Sequence, residues 1–168
     1  DLADSWTVSG HKWLNVPFDC AMTISPHPEA LRRAMGVAAA YLPDSDEVPM
    51  RDMVPELSRR ARGVTVWAAL SRLGKSGVAE LVERSCAHAK RLAHGLERIG
   101  FTVHNDVVLN QIVASIGDAS FTEAVRQQVE ADGACWFGAT SWRGRAAVRF
   151  SVSSWATTEQ DIEASLAG

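Results

Sequence analysis

The chain has 168 residues, 46% of them hydrophobic and 22% charged, with a formal charge of −3. That balance belongs to a globular protein long enough to bury a core, and it announces no basic face for nucleic acid. No apolar run approaches the roughly 20 residues of a membrane span. The opening residues do not read as a signal peptide. Cys20, Cys86 and Cys135 are too scattered, and too odd in number, for a disulfide framework; free thiols in a reducing cytoplasm are expected. The chain opens on Asp1 rather than Met and meets an apolar segment almost at once, which suggests a piece of something longer.

In chain order, "WLNVPFDCAMTI" (13–24) reads as extended structure with a turn at Asn15-Val16-Pro17. "SPHPEALRRAMG" predicts a short helix, with Pro28 at an early position and Gly36 as its stop. "VAAAYL" (37–42) reads as a short strand. Residues 43–55 hold three prolines and five charged side chains, and so predict a long loop of the kind that often serves function. A helix from about Glu56 to Leu73 is expected to end at Gly74. A longer one, from about Ser76 to Ile99, keeps Leu81, Ala89, Leu92 and Leu96 at helical spacing.

After Gly100 the pattern becomes ββαββα: two strands in "FTVHNDVVLNQIVASIG", a helix capped by a Ser120–Glu123 box, two strands turning near Trp142–Gly144, and a last helix capped by Thr157 or Thr158. The expected organisation is therefore 1–99 and 100–168. No repeat or low-complexity segment interrupts it.

The chemistry gathers at "SGHKW". A lysine amine attacks carbonyls once it is unprotonated, and partial burial or a neighbouring cation favours that state. Gly10 would let the backbone approach a ligand, His11 could bond an anion, Ser9 offers a hydroxyl to a phosphate, and Trp13 would shield the site. Pyridoxal phosphate needs such a set: an amine, phosphate donors and a sheltered ring pocket. Taken alone, the motif supports a plain lysine at a strand edge better than a catalytic one.

The wider sequence changes that balance. Ala3-Asp4-Ser5, His11-Lys12-Trp13 and Asp19-Cys20 closely resemble the lysine segment of the group II pyridoxal-phosphate-dependent amino-acid decarboxylases, which include the aromatic-L-amino-acid, histidine, glutamate and cysteine-sulfinate enzymes. Arg59, Arg60, Arg62 and Trp67 match that family's R-R-x-R-x-x-x-x-W helix, and "VRFSVSSWATTEQDI" resembles its penultimate strand and last helix. The resemblance implies an α/β fold of type I, the aspartate-aminotransferase-like fold, with the end of the large domain followed by a small α+β C-terminal domain. It implies Lys12 as the residue forming a Schiff base with pyridoxal 5'-phosphate, with His11 and Ser9 near the phosphate. In the wider fold a C-terminal-domain arginine binds the substrate carboxylate, and Arg149 is the candidate.

The family's phosphate loop, ring-stacking histidine and ring-nitrogen aspartate lie upstream of the lysine, and Asp4 is too near Lys12 to be that aspartate. The resemblance thus implies a C-terminal portion that needs an N-terminal half as partner, in a homodimer or higher assembly, acting on a small amino acid. The family's mobile loop carries a tyrosine that protonates the carbon left by CO2 loss. The only tyrosine here is Tyr41, and Met50 falls near that position. Members lacking the tyrosine can act as aldehyde synthases; a noncatalytic fragment or assembly module is the other alternative. His104 could act as an acid, although nothing in the sequence places it there.

Plainer expectations stand beside these. The three arginines are expected to be solvated or paired with acids such as Glu56, and the six tryptophans to fill core and interface. His27 is expected on a surface loop, and Asn105, Asp106 and Asn110 in turns. His88 and His94, six apart on one helix, have the wrong spacing for a metal pair.

Overall fold

The computed structural model describes residues 3–38, 40–42 and 49–167. Two compact units divide it, Asp1–Arg72 and Leu73–Gly168.

In the first unit, strands β1 (Trp6–Ser9) and β2 (Ala21–Ile24) pair antiparallel, with Trp6 opposite Ile24 and Ser9 opposite Ala21. Between them lies a single helical turn, α1 (Gly10–Trp13). The extended reading of 13–24 therefore holds only for its last four residues. Trp13 closes a helical turn, because the chain must reverse between two paired strands. Buried Val16, Cys20 and Val66 form the small core under this turn, with Leu14, Met22 and Ala69 packed against it.

Helix α2 (Pro28–Met35) begins with proline at its first position, and the Gly36 N–H closes it onto the Arg32 carbonyl at 2.8 Å, as expected. The strand expected at 37–42 is not formed at its described residues, which are irregular or turn. Of the loop 43–55, residues 43–48 lie outside the described residues. Met50–Met53 make one 3-10 turn, within which Asp52 is buried beside Arg32 and Arg51.

Helix α3 runs from Arg62 to Arg98 and is broken at Gly74, whose φ of 62° and ψ of −176° are non-helical. That positive φ suits glycine, which has no Cβ to clash. The expected start at Glu56 is displaced to Arg62. Residues 56–61 stay irregular: Arg59 bonds the Glu56 carbonyl within the segment, and Arg60 reaches back to Phe18 and Asp19.

The second unit has a four-stranded antiparallel sheet ordered β3 (Thr102–Val103), β4 (Gln111–Ser115), β6 (Arg145–Ser151), β5 (Gly138–Trp142). Alternation along the strands sends Ile112, Ala114, Val148 and Phe150 to one face. There they meet Ala89, Leu92, Ala93 and Leu96 of α3, Val129 of α4 (Ala119–Asp132) and Ile162 of α5 (Glu159–Ala167). The Phe137 and Phe150 rings lie 4.3 Å apart in this core.

The ββαββα order is as read from the sequence; one cap is not. Asp118, not Ser120, caps α4: its Oδ1 accepts from the Phe121 N–H at 2.8 Å and from the Ser120 hydroxyl at 2.7 Å. Glu123 turns instead to Arg126. At α5 the expected cap forms: Thr158 Oγ1 accepts from the Asp161 N–H, and Asp161 Oδ2 accepts from the Thr158 N–H.

The tryptophans do not fill the core, contrary to half of the expectation. Trp6, Trp67, Trp136 and Trp155 are exposed, Trp13 and Trp142 are half-buried, and none joins the buried core.

Candidate active site

Lys12 sits on α1, the turn joining β1 to β2, rather than on a strand edge. The turn ends where Asn15 takes a positive φ of 52°, and the Asn15 side-chain amide donates to the Lys12 and Trp13 carbonyls at 2.9 and 3.3 Å. Asparagine tolerates this left-handed backbone and caps the carbonyls that a helix end leaves open. Gly10 serves packing: it is buried, and a Cβ there would stand 3.1 Å from Val16 Cγ2 and 3.4 Å from Cys20 Sγ. The turn is thereby seated on the Val16–Cys20–Val66 core. The Lys12 side chain is exposed and has no ion pair among the described residues.

His11 is held on two sides. Its Nδ1 lies 2.7 Å from the Cys20 carbonyl oxygen and 3.2 Å from the Cys20 backbone nitrogen. Nδ1 carries either a proton or a lone pair, so only one of these contacts is a hydrogen bond at a time. The tautomer decides which: a proton on Nδ1 donates to the carbonyl, and a proton on Nε2 leaves Nδ1 to accept from the Cys20 N–H. Nε2 has no hydrogen-bond partner among the described residues. The Phe18 ring rests 4.5 Å from the imidazole. Ser9, the last residue of β1, is half-buried and its hydroxyl does not cap the turn.

An ion cluster foreseen only in part from sequence adjoins the turn. Arg62 bonds Asp19 at 2.9 Å and Glu56 at 2.8 Å, and Arg60 bonds Asp19 at 3.0 Å. The Arg62 guanidinium, helped by a backbone hydrogen bond, holds the Asp19 carboxyl down at about 2 from its ordinary 3.8; in return, Asp19 and Glu56 raise Arg62. The pairing with Glu56 was expected. Asp19 was not, because its partners lie more than forty residues away.

Arg149 belongs to the other unit. It is exposed on the sheet face opposite the core, aligned with Val113 on one side and Gly138 on the other, and has no ion pair among the described residues. His104 Nε2 lies 2.8 Å from the Ser115 hydroxyl, in that same unit. His27 is exposed, as expected. Asn105 shapes its turn by accepting from the Val113 N–H at 2.7 Å, and buried Asn110 donates to the Val152 carbonyl. Among the described residues no group of histidines, cysteines and acids could hold a metal ion, and no helix is long and apolar enough to cross a membrane.

The profile of the pyridoxal-dependent decarboxylase conserved domain matches residues 1–116. The chain belongs to the pyridoxal-dependent decarboxylase family. Its family relatives include a 4-hydroxyphenylacetaldehyde synthase from Rhodiola rosea, 33% identical over 54% of this chain and 19% of that protein. They also include tryptophan decarboxylase 1 from Oryza sativa, 27% identical over 92% of this chain and 34% of that protein. Histidine decarboxylase from Drosophila melanogaster is 28% identical over 96% of this chain and 20% of that protein. The chain thus spans between 19% and 34% of the length of these relatives. In fold, it superposes on the tryptophan decarboxylase of Oryza sativa solved with pyridoxal phosphate and tryptamine, with a TM-score of 0.88 over 95% of this chain at 20% identity. The Rhodiola rosea synthase gives a TM-score of 0.83 over 96% of this chain. The fold-type-I expectation is met.

Proposed function

We propose that this chain is the lysine-bearing portion of a pyridoxal-phosphate-dependent L-amino-acid decarboxylase, which converts an amino acid to an amine and CO2. The observation that carries the reading is the Lys12 turn: an exposed amine with no acidic partner among the described residues, set beside an imidazole whose ring is already anchored. These residues fit the cofactor. An amine locked in an ion pair could not attack an aldehyde, and an unanchored histidine would lose rotamer freedom on meeting a phosphate.

When bound, pyridoxal phosphate supplies an electron sink that stabilises the carbanion left by CO2 loss. The chain's own residues do the rest. Lys12 Nζ is the attachment point and carries a proton to and from the substrate amine. His11, with its proton on Nε2 and the Cys20 N–H donating to Nδ1, and Ser9, through its hydroxyl, would hold the phosphate. Arg149 is the candidate for the substrate carboxylate, consistent with its exposure and lack of an ion pair among the described residues. On this reading residues 1–99 are the C-terminal part of the large cofactor domain and 100–168 are the small domain. The N-terminal half of the enzyme provides the ring-binding groups, in a cytoplasmic homodimer or higher assembly.

A second reading changes the outcome, not the site. The 33% identical Rhodiola rosea relative is named an aldehyde synthase, and residues 43–55 contain no tyrosine, with Met50 near the family's tyrosine position. Slower protonation of the carbon would let molecular oxygen and water compete after CO2 loss: oxygen takes two electrons and becomes peroxide, while water supplies the aldehyde oxygen and releases the nitrogen as ammonia.

Borohydride reduction of the full-length protein with pyridoxal phosphate, followed by peptide mass analysis, should place a pyridoxyl group on Lys12. An unmodified Lys12 would sink the enzyme reading and leave the noncatalytic module. Measuring CO2 with amine, against ammonia with peroxide, separates decarboxylase from synthase.

A further inference from the structure

A groove in the second unit takes no part in the chemistry just described. Arg84, His88, Arg91, His94 and Arg98 recur every three or four residues, which on a helix makes one basic stripe. That stripe of α3 lines a groove of about 1400 Å3, together with Trp155 and Thr157 from the loop before α5. Arg149, the candidate for the substrate carboxylate, is on the opposite face of the sheet from α3 and α5.

The positive groups of the stripe are not equally free. Arg91 is bound by Glu159 at 3.0 Å and Glu163 at 2.9 Å. Arg84 has only Glu80, exposed and 3.5 Å away. Its Nη2 donates to the Trp155 carbonyl at 3.1 Å, which fixes the guanidinium against the loop. One turn further along α3, His88 is 8% exposed, and its Nε2 is buried with no hydrogen-bond partner among the described residues. Folded proteins seldom leave a buried polar atom unpaired unless a ligand, ion or water meets it. Asp161 does not fill that role, because its Oδ2 accepts from the Thr158 N–H and hydroxyl, each at 2.8 Å. Those bonds first, and the charge of His88 after them, hold the Asp161 carboxyl below its ordinary range. The Thr157 hydroxyl has no hydrogen-bond partner among the described residues.

A fixed guanidinium, an unpartnered imidazole and a free hydroxyl are all able to donate to one acceptor. Neither nitrogen of His88 is held by a protein group among the described residues, so its proton can take whichever nitrogen a ligand reaches. The acceptor that suits this set carries negative charge, since charge-assisted bonds are the strong ones.

The geometry points to a binding site for a small molecule bearing an oxyanion, a phosphate or a carboxylate, held by Arg84, His88 and Thr157 in this groove. The volume leaves room for the rest of the molecule. The site goes beyond the function proposed above and does not depend on it.

The test follows the His88 ring by nitrogen-15 spectra of the full-length protein, with His88→Gln to assign its signals. Inorganic phosphate is added at an ionic strength held constant with chloride, and succinate is titrated in the same way. The ring signals should move and saturate with at least one of them, and the anion that saturates at lower concentration distinguishes phosphate from carboxylate. Arg84→Gln should weaken that binding roughly tenfold, as for the loss of one charge-assisted hydrogen bond. Lys90→Gln, which removes an exposed charge of α3 outside the groove, should leave it unchanged. Signals that stay still, or that drift without saturating, overturn the inference and leave water as the partner of His88. Equal weakening by the two substitutions also overturns it, since net charge alone would then explain the effect. Should Arg84→Gln not fold, Thr157→Val removes the hydroxyl and should weaken binding by less; no weakening overturns the inference equally. Whether Lys12 takes the borohydride label has no bearing on these outcomes.

Discussion

The His11 imidazole lies 2.7 Å from the carbonyl oxygen of Cys20, nine residues further along the chain. This contact ties the start of the lysine turn to the start of the strand that follows it. Lys12 therefore projects from a closed loop whose two ends are joined by paired strands, by this contact and by the small core beneath. Such bracing fixes a backbone from which one long side chain can move freely.

Lys12→Arg keeps the charge and removes the amine that reacts with carbonyls. Because the side chain is exposed and unpaired among the described residues, the melting temperature should change by no more than about 2 °C. The borohydride label at position 12 and product formation should both vanish. A label persisting on another lysine would reassign the attachment point.

Gly10→Ala tests how tightly the turn is seated. The new methyl would sit 3.1 Å from Val16 Cγ2, with Cys20 Sγ at 3.4 Å, so the core must give way. A loss of about 1–3 kcal/mol in urea unfolding is expected. Stability equal to the parent protein would mean that the turn has room to spare.

Ile112→Ala removes a fully buried side chain from the centre of the helix–sheet core. A cost of about 2–5 kcal/mol is expected, with the spread set by how far the neighbours close on the cavity. Val113→Ala, one residue along and on the opposite face, should cost clearly less in the same denaturation series. Equal costs would contradict the assigned sheet face.

Acid should weaken the fold through Asp19 and Glu123. Arg62 holds Asp19 at about 2 against 3.8, and Arg126 with Gln127 holds Glu123 at about 2 against 4.5. A carboxyl whose folded pKa is depressed contributes its stability above the unfolded value and loses it as pH falls through the folded one. The contribution should thus be complete above about pH 5 and fade toward pH 2. Thermal unfolding at stepped pH checks this: Asp19→Asn with Glu123→Gln should flatten the slope in that window, and added salt should reduce the effect in the parent. An unaltered slope in the double variant would remove these two groups from the acid transition.

Much of the second unit was legible because its signals are local. The spacing of Leu81, Ala89, Leu92 and Leu96 marks a helix, alternation in "AVRFSV" marks a strand, and Thr158 with Asp161 marks a cap. Where local signals competed, the reading slipped. Ser120–Glu123 has the form of a capping box, but Asp118 lies two residues earlier with a stronger acceptor, and Arg126 draws Glu123 away. "VAAAYL" has strand composition, yet its described residues are irregular or turn. The tryptophans misled as core candidates because bulk and apolarity were taken as burial within this chain, whereas four of the six face outward.

The sequence by itself determined the family and which side chains stand around Lys12, since residue identities are read directly. Only the tertiary structure decided how the lysine is presented. The seating of Gly10 on Val16 and Cys20, the grip of Cys20 on His11, and the reach of Arg60 and Arg62 to Asp19 join residues up to 43 positions apart. No periodicity encodes such pairings, because they exist only once the first turns of α3 pack against the β1–α1–β2 segment through Val66.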